Sequence, residues 1–98
     1  MGVYYSAKVV YGVLLDEEEE IRLNSHPNRD TIYDNWICDA DPYNKDSYKV
    51  IGIIVDGVSE GEATELCVKA PNVDELLDVL DELGINREPT WHLVCTVS

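Results

Sequence analysis

Residues 71–84 of the chain read PNVDELLDVLDELG, the strongest helix pattern in the sequence. The pattern predicts a helix over about residues 72–84, with Asn72 as N-cap, Glu75 completing a capping box and Gly84 ending the helix in a left-handed conformation. Apolar residues recur at spacings of three and four, which predicts a buried stripe made of Val73, Leu76, Leu77, Leu80 and Leu83. The stretch therefore predicts an amphipathic helix that packs on the rest of the chain.

The segments around this helix favour β-structure. Alternating or β-branched patterns predict four strands, at residues 3–15, 48–55, 62–70 and 90–97. Two glycines within residues 56–61 predict a hairpin between the second and third strands. Residues 16–46 are rich in turn formers and are expected to be irregular, with weak helix patterns at 16–23 and 30–37.

The order of these elements predicts a single α+β domain over residues 1–98, as expected for a chain of 98 residues. It matches the split βαβ, ferredoxin-like order, in which a four-stranded antiparallel sheet carries its helices on one face. The other face is also predicted to be apolar, with Tyr4, Val10, Leu14, Tyr48, Val50, Ile54 and Val94. We expect a cover for this face, either segment 16–46 with Trp36 as its plug or a second copy of the chain.

Composition limits the classes of partner. The chain has 20 acidic and 7 basic residues, a formal charge of -13 and a pI near 4.2, whereas 45% of its residues are hydrophobic. Such a chain can bury a core but repels phosphate, so neither nucleic acid nor an anionic membrane is expected as a direct partner. The sequence shows no apolar run long enough for a membrane span and no secretory signal pattern, which favours a cytoplasmic protein.

Motifs for catalysis or metal binding are not recognisable in the sequence, so we expect no enzyme activity, no cofactor and no metal site. Residues 39–46 begin like a calcium loop but have no glycine or bidentate glutamate at the required positions, which favours a solvated acidic turn. Cys38, Cys67 and Cys95 are widely spaced and are expected to be reduced thiols, with Cys95 among the core positions.

The acidic residues concentrate in two places. The first patch is Asp16, Glu17, Glu18, Glu19 and Glu20, and the second, on the predicted helix, is Asp74, Glu75, Asp78, Asp81 and Glu82. Tyr33, Trp36 and Tyr43 lie near acidic residues and could anchor a partner, because aromatic residues are enriched at interfaces. Together these residues form the predicted partner-binding surface. A charged surface that serves only solubility is the competing interpretation.

Two functions are compatible with these features. In size, charge and lack of catalytic motifs, the chain resembles the small acidic proteins with which bacteriophages block host restriction or CRISPR nucleases. That resemblance implies a non-enzymatic inhibitor that mimics nucleic acid and occupies a basic surface of a nucleic-acid-handling protein in the host cytoplasm. The alternative is a homodimeric regulatory or ligand-binding domain whose copies pair through their apolar sheet faces. The oligomeric state, monomer or homodimer, stays open.

Overall fold

The computed structural model of the protein describes residues 5–41, 47–65 and 69–97. Within these residues the chain forms four strands and three helices of an α+β domain. In chain order they are β1 Tyr5–Leu14, α1 Glu17–Asn24, α2 Arg29–Trp36, β2 Ile37–Asp39, β3 Lys49–Ser59, α3 Asp74–Glu82 and β4 Thr90–Val97.

The four strands form one antiparallel sheet in the order β2-β3-β1-β4. The long strands β1 and β3 lie at its centre, and their pairing shifts by one residue at a bulge between Val9 and Val10. Both strands are rich in β-branched residues, which suit a pleated surface that is packed on two sides. The short β2 and the eight-residue β4 form the two edges of the sheet.

One face of the sheet, here the helix face, carries the larger core. Val13 of β1 and Ile51 of β3 contribute to this core from the sheet side. The three helices supply Leu23, Ile32, Leu76 and Leu80, each at most 4% exposed. Because their side chains share one cluster, all three helices pack on the same face of the sheet.

The opposite face, here the far face, has a smaller core of its own. It contains one residue from each strand, and these are Val10, Cys38, Val50 and Val94. Ala40, just after β2, packs against them, and its carbonyl accepts a hydrogen bond of 2.9 Å from the N–H of Val97 at the end of β4. Since β2 and β4 lie on opposite edges, this bond shows that the sheet curls around the far face until its edges approach each other at Ala40.

The expected cover of the far face is therefore partly wrong. Segment 16–46 does reach this face, but through Cys38 and Ala40, whereas Trp36 packs against the core on the helix face. The residues predicted on the far face are therefore only partly covered. Val10, Val50 and Val94 are buried, and Leu14, Tyr48 and Ile54 are exposed. Tyr4 lies outside the described residues.

The predicted strand at 62–70 and the hairpin before it are also wrong. Residues 62–65 and 69–70 form no strand, and 66–68 lie outside the described residues. Instead, β3 continues into the region of the expected turn and ends at Ser59, and Gly57 pairs with Lys8 of β1. The fourth strand of the sheet is β2, which comes from the segment that was expected to be irregular. The two weak helix patterns in that segment are confirmed as α1 and α2.

The predicted helix at 72–84 is confirmed as α3, with a different start. Asn72 accepts a hydrogen bond of 3.0 Å from the N–H of Asp74, but the expected capping box with Glu75 is not formed. At the other end Gly84 has a φ of 69°, the left-handed conformation that the sequence predicts. Leu77, placed in the buried stripe, is 45% exposed.

Candidate functional site: an acidic helix layer beside an aromatic cleft

The first acidic patch contains the N-terminal cap of α1. The N–H of Glu19 donates to Asp16 Oδ1 over 2.8 Å, and the N–H of Asp16 donates to Glu19 Oε1 over 2.9 Å. These reciprocal bonds form a capping box, which satisfies two N–H groups that would otherwise lack partners at the start of the helix. Part of this patch is therefore used to begin α1.

Glu19 is the one buried charged residue among the described residues, at 4% exposure. Its carboxylate forms an ion pair with the Arg87 guanidinium, which also donates to the Leu14 carbonyl over 2.7 Å. Arg87 lies between α3 and β4, so this pair joins three parts of the chain. The negative charge of Glu19 is compensated inside the protein and does not contribute to the exposed patch.

Glu20 has a similar partner at the edge of the patch. Its carboxylate lies 3.3 Å from Lys49 Nζ, and Asp39 lies 3.7 Å from the same nitrogen. Burial lowers the pKa of Lys49, but Asp39, Glu20 and Tyr33 together raise it by more, so the net pKa is raised and the ammonium group is stabilised. The five consecutive acids thus divide by role. Within the part of the chain that the structure describes, Glu17 and Glu18 have no cap or ion-pair role and are exposed.

The second patch lies on α3, and all five of its residues are exposed. Arg22 of α1 donates to the carbonyl of Gly84 over 3.2 Å, and His26 lies 4.0 Å from Glu82, so the two helices meet near the end of α3. Because α1 and α3 pack on the same face of the sheet, the exposed acids of both helices lie on that side of the domain. We call this surface the acidic helix layer and define it as Glu17, Glu18, Asp74, Glu75, Asp78, Asp81 and Glu82.

A cleft of about 510 Å³ opens beside the start of α3. Trp36 and Ile53 provide apolar surface in this cleft, and Asn72, Asp74 and Glu75 provide polar groups. We call it the Trp36 cleft. An indole ring next to two carboxylates suits a lysine or arginine side chain, because a cation gains from both an aromatic face and an opposite charge. The fold thus brings Trp36 next to Asp74 and Glu75, two predicted site residues that are far from it in sequence.

The other two predicted aromatic anchors are placed differently. Tyr33 is half-buried against the core, and the guanidinium carbon of Arg29 lies 5.4 Å from its ring centre. Tyr43 lies outside the described residues. Ile53 and Asn72 complete the cleft and were not among the predicted site residues. Their proximity to Trp36 depends on how the helices pack on the sheet, for which the sequence contains no local signal.

Among the residues that the structure describes, no group of three or more metal-binding side chains comes together. Asp39, the first residue of the calcium-like loop, accepts hydrogen bonds from the Ser47 hydroxyl at 2.6 Å and from the Asp41 N–H at 3.1 Å. This is the hydrogen bonding of a polar turn. Residues 42–46 of the loop lie outside the described residues.

Both described cysteines are free thiols, as expected, but the predicted position of Cys95 is wrong. Cys95, expected in the core, is exposed, whereas Cys38 is buried in the far-face core. Burial raises the pKa of the Cys38 thiol, an effect that Lys8 opposes and Asp39 reinforces. Cys38 is therefore a packed, protonated thiol at neutral pH.

This difference predicts selective alkylation. In the native protein at pH 8, we expect iodoacetate to modify Cys95 at least about tenfold faster than Cys38, because only the thiolate reacts and burial limits access. Mass spectrometry of peptides from timed reactions would measure both rates. A denatured sample is the control and should show similar rates for the two thiols. Equal rates in the native protein would contradict the buried position of Cys38.

Comparison of the chain with protein-family models, with curated proteins and with solved structures finds no match. Among the described residues, no helix is both long and apolar enough to cross a membrane.

Proposed function

We propose that the protein is a non-enzymatic inhibitor that binds a basic, nucleic-acid-binding surface of another protein. The observation that carries this proposal is the acidic helix layer, which places two exposed acids of α1 and five of α3 on one side of the domain, next to the Trp36 cleft. The phage anti-defence class, which includes anti-CRISPR and anti-restriction proteins, fits this description. Host cytoplasm is the location that such a function requires.

The spacing of charges on α3 supports mimicry of nucleic acid. Asp74, Asp78 and Asp81 follow one another at intervals of four and three residues, which corresponds to about 4.5–6 Å along an α-helix. No lysine or arginine lies within α3 to neutralise them. Like charges at this spacing cost a few tenths of a kcal/mol each, so a row of this kind does not stabilise the helix. A basic partner would compensate the repulsion.

The Trp36 cleft supplies a specific contact within this electrostatic surface. A lysine or arginine of the partner could place its cationic group between Asp74 and Glu75 while its methylene groups lie on Trp36. Solubility alone requires exposed charge, but it does not require an aromatic cleft next to that charge. The cleft is therefore the feature that favours binding over the solubility interpretation.

Charge reversal on α3 tests the proposal. We expect the triple variant Asp74→Lys, Asp78→Lys, Asp81→Lys to lose binding to the basic partner by about 100-fold or more, because each close charge pair contributes at least about 1.5 kcal/mol. The measurement is a pull-down from host lysate at low salt, followed by titration calorimetry with the captured protein. Competition with DNA or RNA for that partner is also expected.

A matched control is available on exposed acids outside the layer. The variant Glu60→Lys, Glu65→Lys, Glu88→Lys changes the net charge equally and is expected to keep most of the affinity. Equal losses in both triple variants would indicate a non-specific charge effect. Binding that does not weaken between low and high salt would contradict the proposal, since surface ion pairs are screened by salt.

We also propose that the sheet is a variant of the split βαβ, ferredoxin-like arrangement. The central position of β1 and β3, with β2 and β4 at the edges, supports this assignment. So does the placement of α1 and α2 between β1 and β2, and of α3 between β3 and β4. The short β2 and the curl of the sheet are departures from a regular sheet of this kind.

The alternative function, a homodimer that pairs through the far face, has less support. Its motivation was an apolar sheet face without a cover. Val10, Val50 and Val94, at the centre of that face, are at most 7% exposed within a single chain. A partner could contact the exposed Leu14, Tyr48 and Ile54, but the centre of the face is already packed.

A further inference from the structure

β4 is an edge strand with an unusual composition. It pairs with β1 on one side, and its sequence, TWHLVCTV, contains no charged residue and no proline. Exposed edges are normally short or carry charges, prolines or bulges, because their free backbone groups can pair with another chain. An uncharged edge of eight residues in a chain with a net charge of -13 is therefore a candidate pairing surface.

Among residues 5–41, 47–65 and 69–97, the part of this edge that has no pairing partner has defined ends. The N–H of Val97 points away from β1, since it donates to Ala40. Backbone direction alternates along a strand, so Trp91, Leu93 and Cys95 also direct their N–H and C=O groups outward. Pro89, which has no N–H, precedes the strand at the other end. Pro89 and Val97 are each four residues from Leu93, so the free stretch is centred on Leu93.

We propose that two copies of the chain associate by antiparallel pairing of their β4 edges around a two-fold axis at Leu93. Each Leu93 then lies opposite Leu93 of the second copy, and Trp91 lies opposite Cys95. Three residue pairs of the hydrogen-bonded type give about six backbone hydrogen bonds. At each end of the paired region Pro89, which cannot donate, faces Val97, whose N–H is already bonded. The edge is thus complementary to itself.

The β4 strand of the second copy would contact apolar surface on both faces of the sheet. On the helix face, Leu93 is 77% exposed and borders a groove of about 300 Å³ that also includes Val9 and Val58. On the far face, a cleft of about 500 Å³ runs along β4 and includes Leu14 and Tyr48. His92 and Val94 of the second copy would point toward this cleft. The exposure of Leu93 and Tyr48 is explained if a second strand covers them.

Salt dependence separates this proposal from the proposed function. Two copies that each carry a charge of -13 repel each other at long range, and salt screens that repulsion. Because β4 itself contributes no charge, dimerisation is expected to strengthen with salt, whereas binding to a basic partner weakens. An interface made by one pair of edge strands is expected to bury less than about 1,200 Å² in total, the range of weak and transient complexes. We therefore expect a transient dimer with a dissociation constant on the order of 100 µM.

Sedimentation equilibrium from about 10 to 500 µM at low and high salt tests the association. We expect a concentration-dependent dimer for the natural chain and a monomer for Leu93→Lys, which places like charges opposite each other on the two-fold axis. Thr31→Lys, an exposed position on α2, adds the same charge and should still dimerise. A monomeric natural chain, or equal dimerisation of the Leu93 and Thr31 variants, would overturn the proposal.

Disulfide trapping tests the register without relying on the lysine variant. In a Cys67→Ser, Cys95→Ser background, Leu93→Cys should form a covalent dimer on mild oxidation, because hydrogen-bonded antiparallel pairs have Cα atoms about 5.5 Å apart. Thr90→Cys in the same background should not, since the two positions would be roughly 20 Å apart. Efficient cross-linking at 90, or none at 93, would exclude the β4 register.

Discussion

Replacing Gly12 with alanine is expected to lower the free energy of unfolding by about 3–5 kcal/mol, the largest effect we expect from a single methyl group. Gly12 of β1 lies opposite Gly52 of β3 at the centre of the sheet. A Cβ on Gly12 would overlap the carbonyl oxygen of Ile51 and lie 2.5 Å from the Cα of Gly52. These are backbone atoms, so the two strands must separate to make room.

Thermal and urea unfolding of Gly12→Ala would measure the effect, with a fall in Tm of about 20 °C for a domain of this size. Gly61→Ala is the matched control. Gly61 has a φ of 81° but no atom within 4 Å of the new Cβ, so the substitution should cost only about 1 kcal/mol for the backbone conformation. Similar losses at the two positions would contradict the close approach of β1 and β3.

The close Gly12 and Gly52 pair illustrates what a sequence can and cannot predict. Local patterns identified α3, β1 and β4, because each has a long periodic or alternating run whose burial the rest of the chain supports. The error at 62–70 came from reading Gly57 as part of a turn. A glycine inside a strand also permits close backbone approach, and the pairing of Gly57 with Lys8 shows that β3 continues through it. Pairing between distant segments decides between these interpretations.

The short strand β2 was missed for a related reason. Ile37, Cys38 and Asp39 are too few to produce a period of two, and their strand conformation depends on pairing with β3. The curl that brings Ala40 to Val97 likewise depends on the sheet as a whole. Short elements at a sheet edge therefore depend on tertiary contacts more than on local sequence.

In the candidate site, too, some features follow from local sequence and others depend on tertiary contacts. Composition and spacing were sufficient to place five acids on α3, and the structure leaves all five exposed. The run of acids at the start of α1 looks uniform in sequence, but a capping box and two ion pairs separate its members in the structure. Identical side chains thus have a structural role at Glu19 and a surface position at Glu18, and they differ in burial, in the capping box and in the ion pair with Arg87.

Replacing Glu19 with alanine is therefore expected to destabilise the protein by about 2–3 kcal/mol. The substitution removes one half of the capping box and leaves Arg87 without its carboxylate partner. The Arg87 side chain is 50% exposed, so water compensates part of that loss and keeps the effect below that of a fully buried pair. Urea unfolding would measure the change. A double-mutant cycle with Arg87→Ala should give a coupling of at least about 1 kcal/mol.

Glu18→Ala is the matched control. It should have the opposite effects to Glu19→Ala, a loss of binding with little change in stability. Glu18 is exposed, so its loss should change stability by less than about 0.5 kcal/mol but weaken binding to a basic partner. The folded Glu19→Ala protein should retain its affinity, because the carboxylate it loses is already paired inside the domain. If Glu19→Ala weakened binding more than Glu18→Ala at equal folded concentration, the division of the acidic run into structural and surface residues would be wrong.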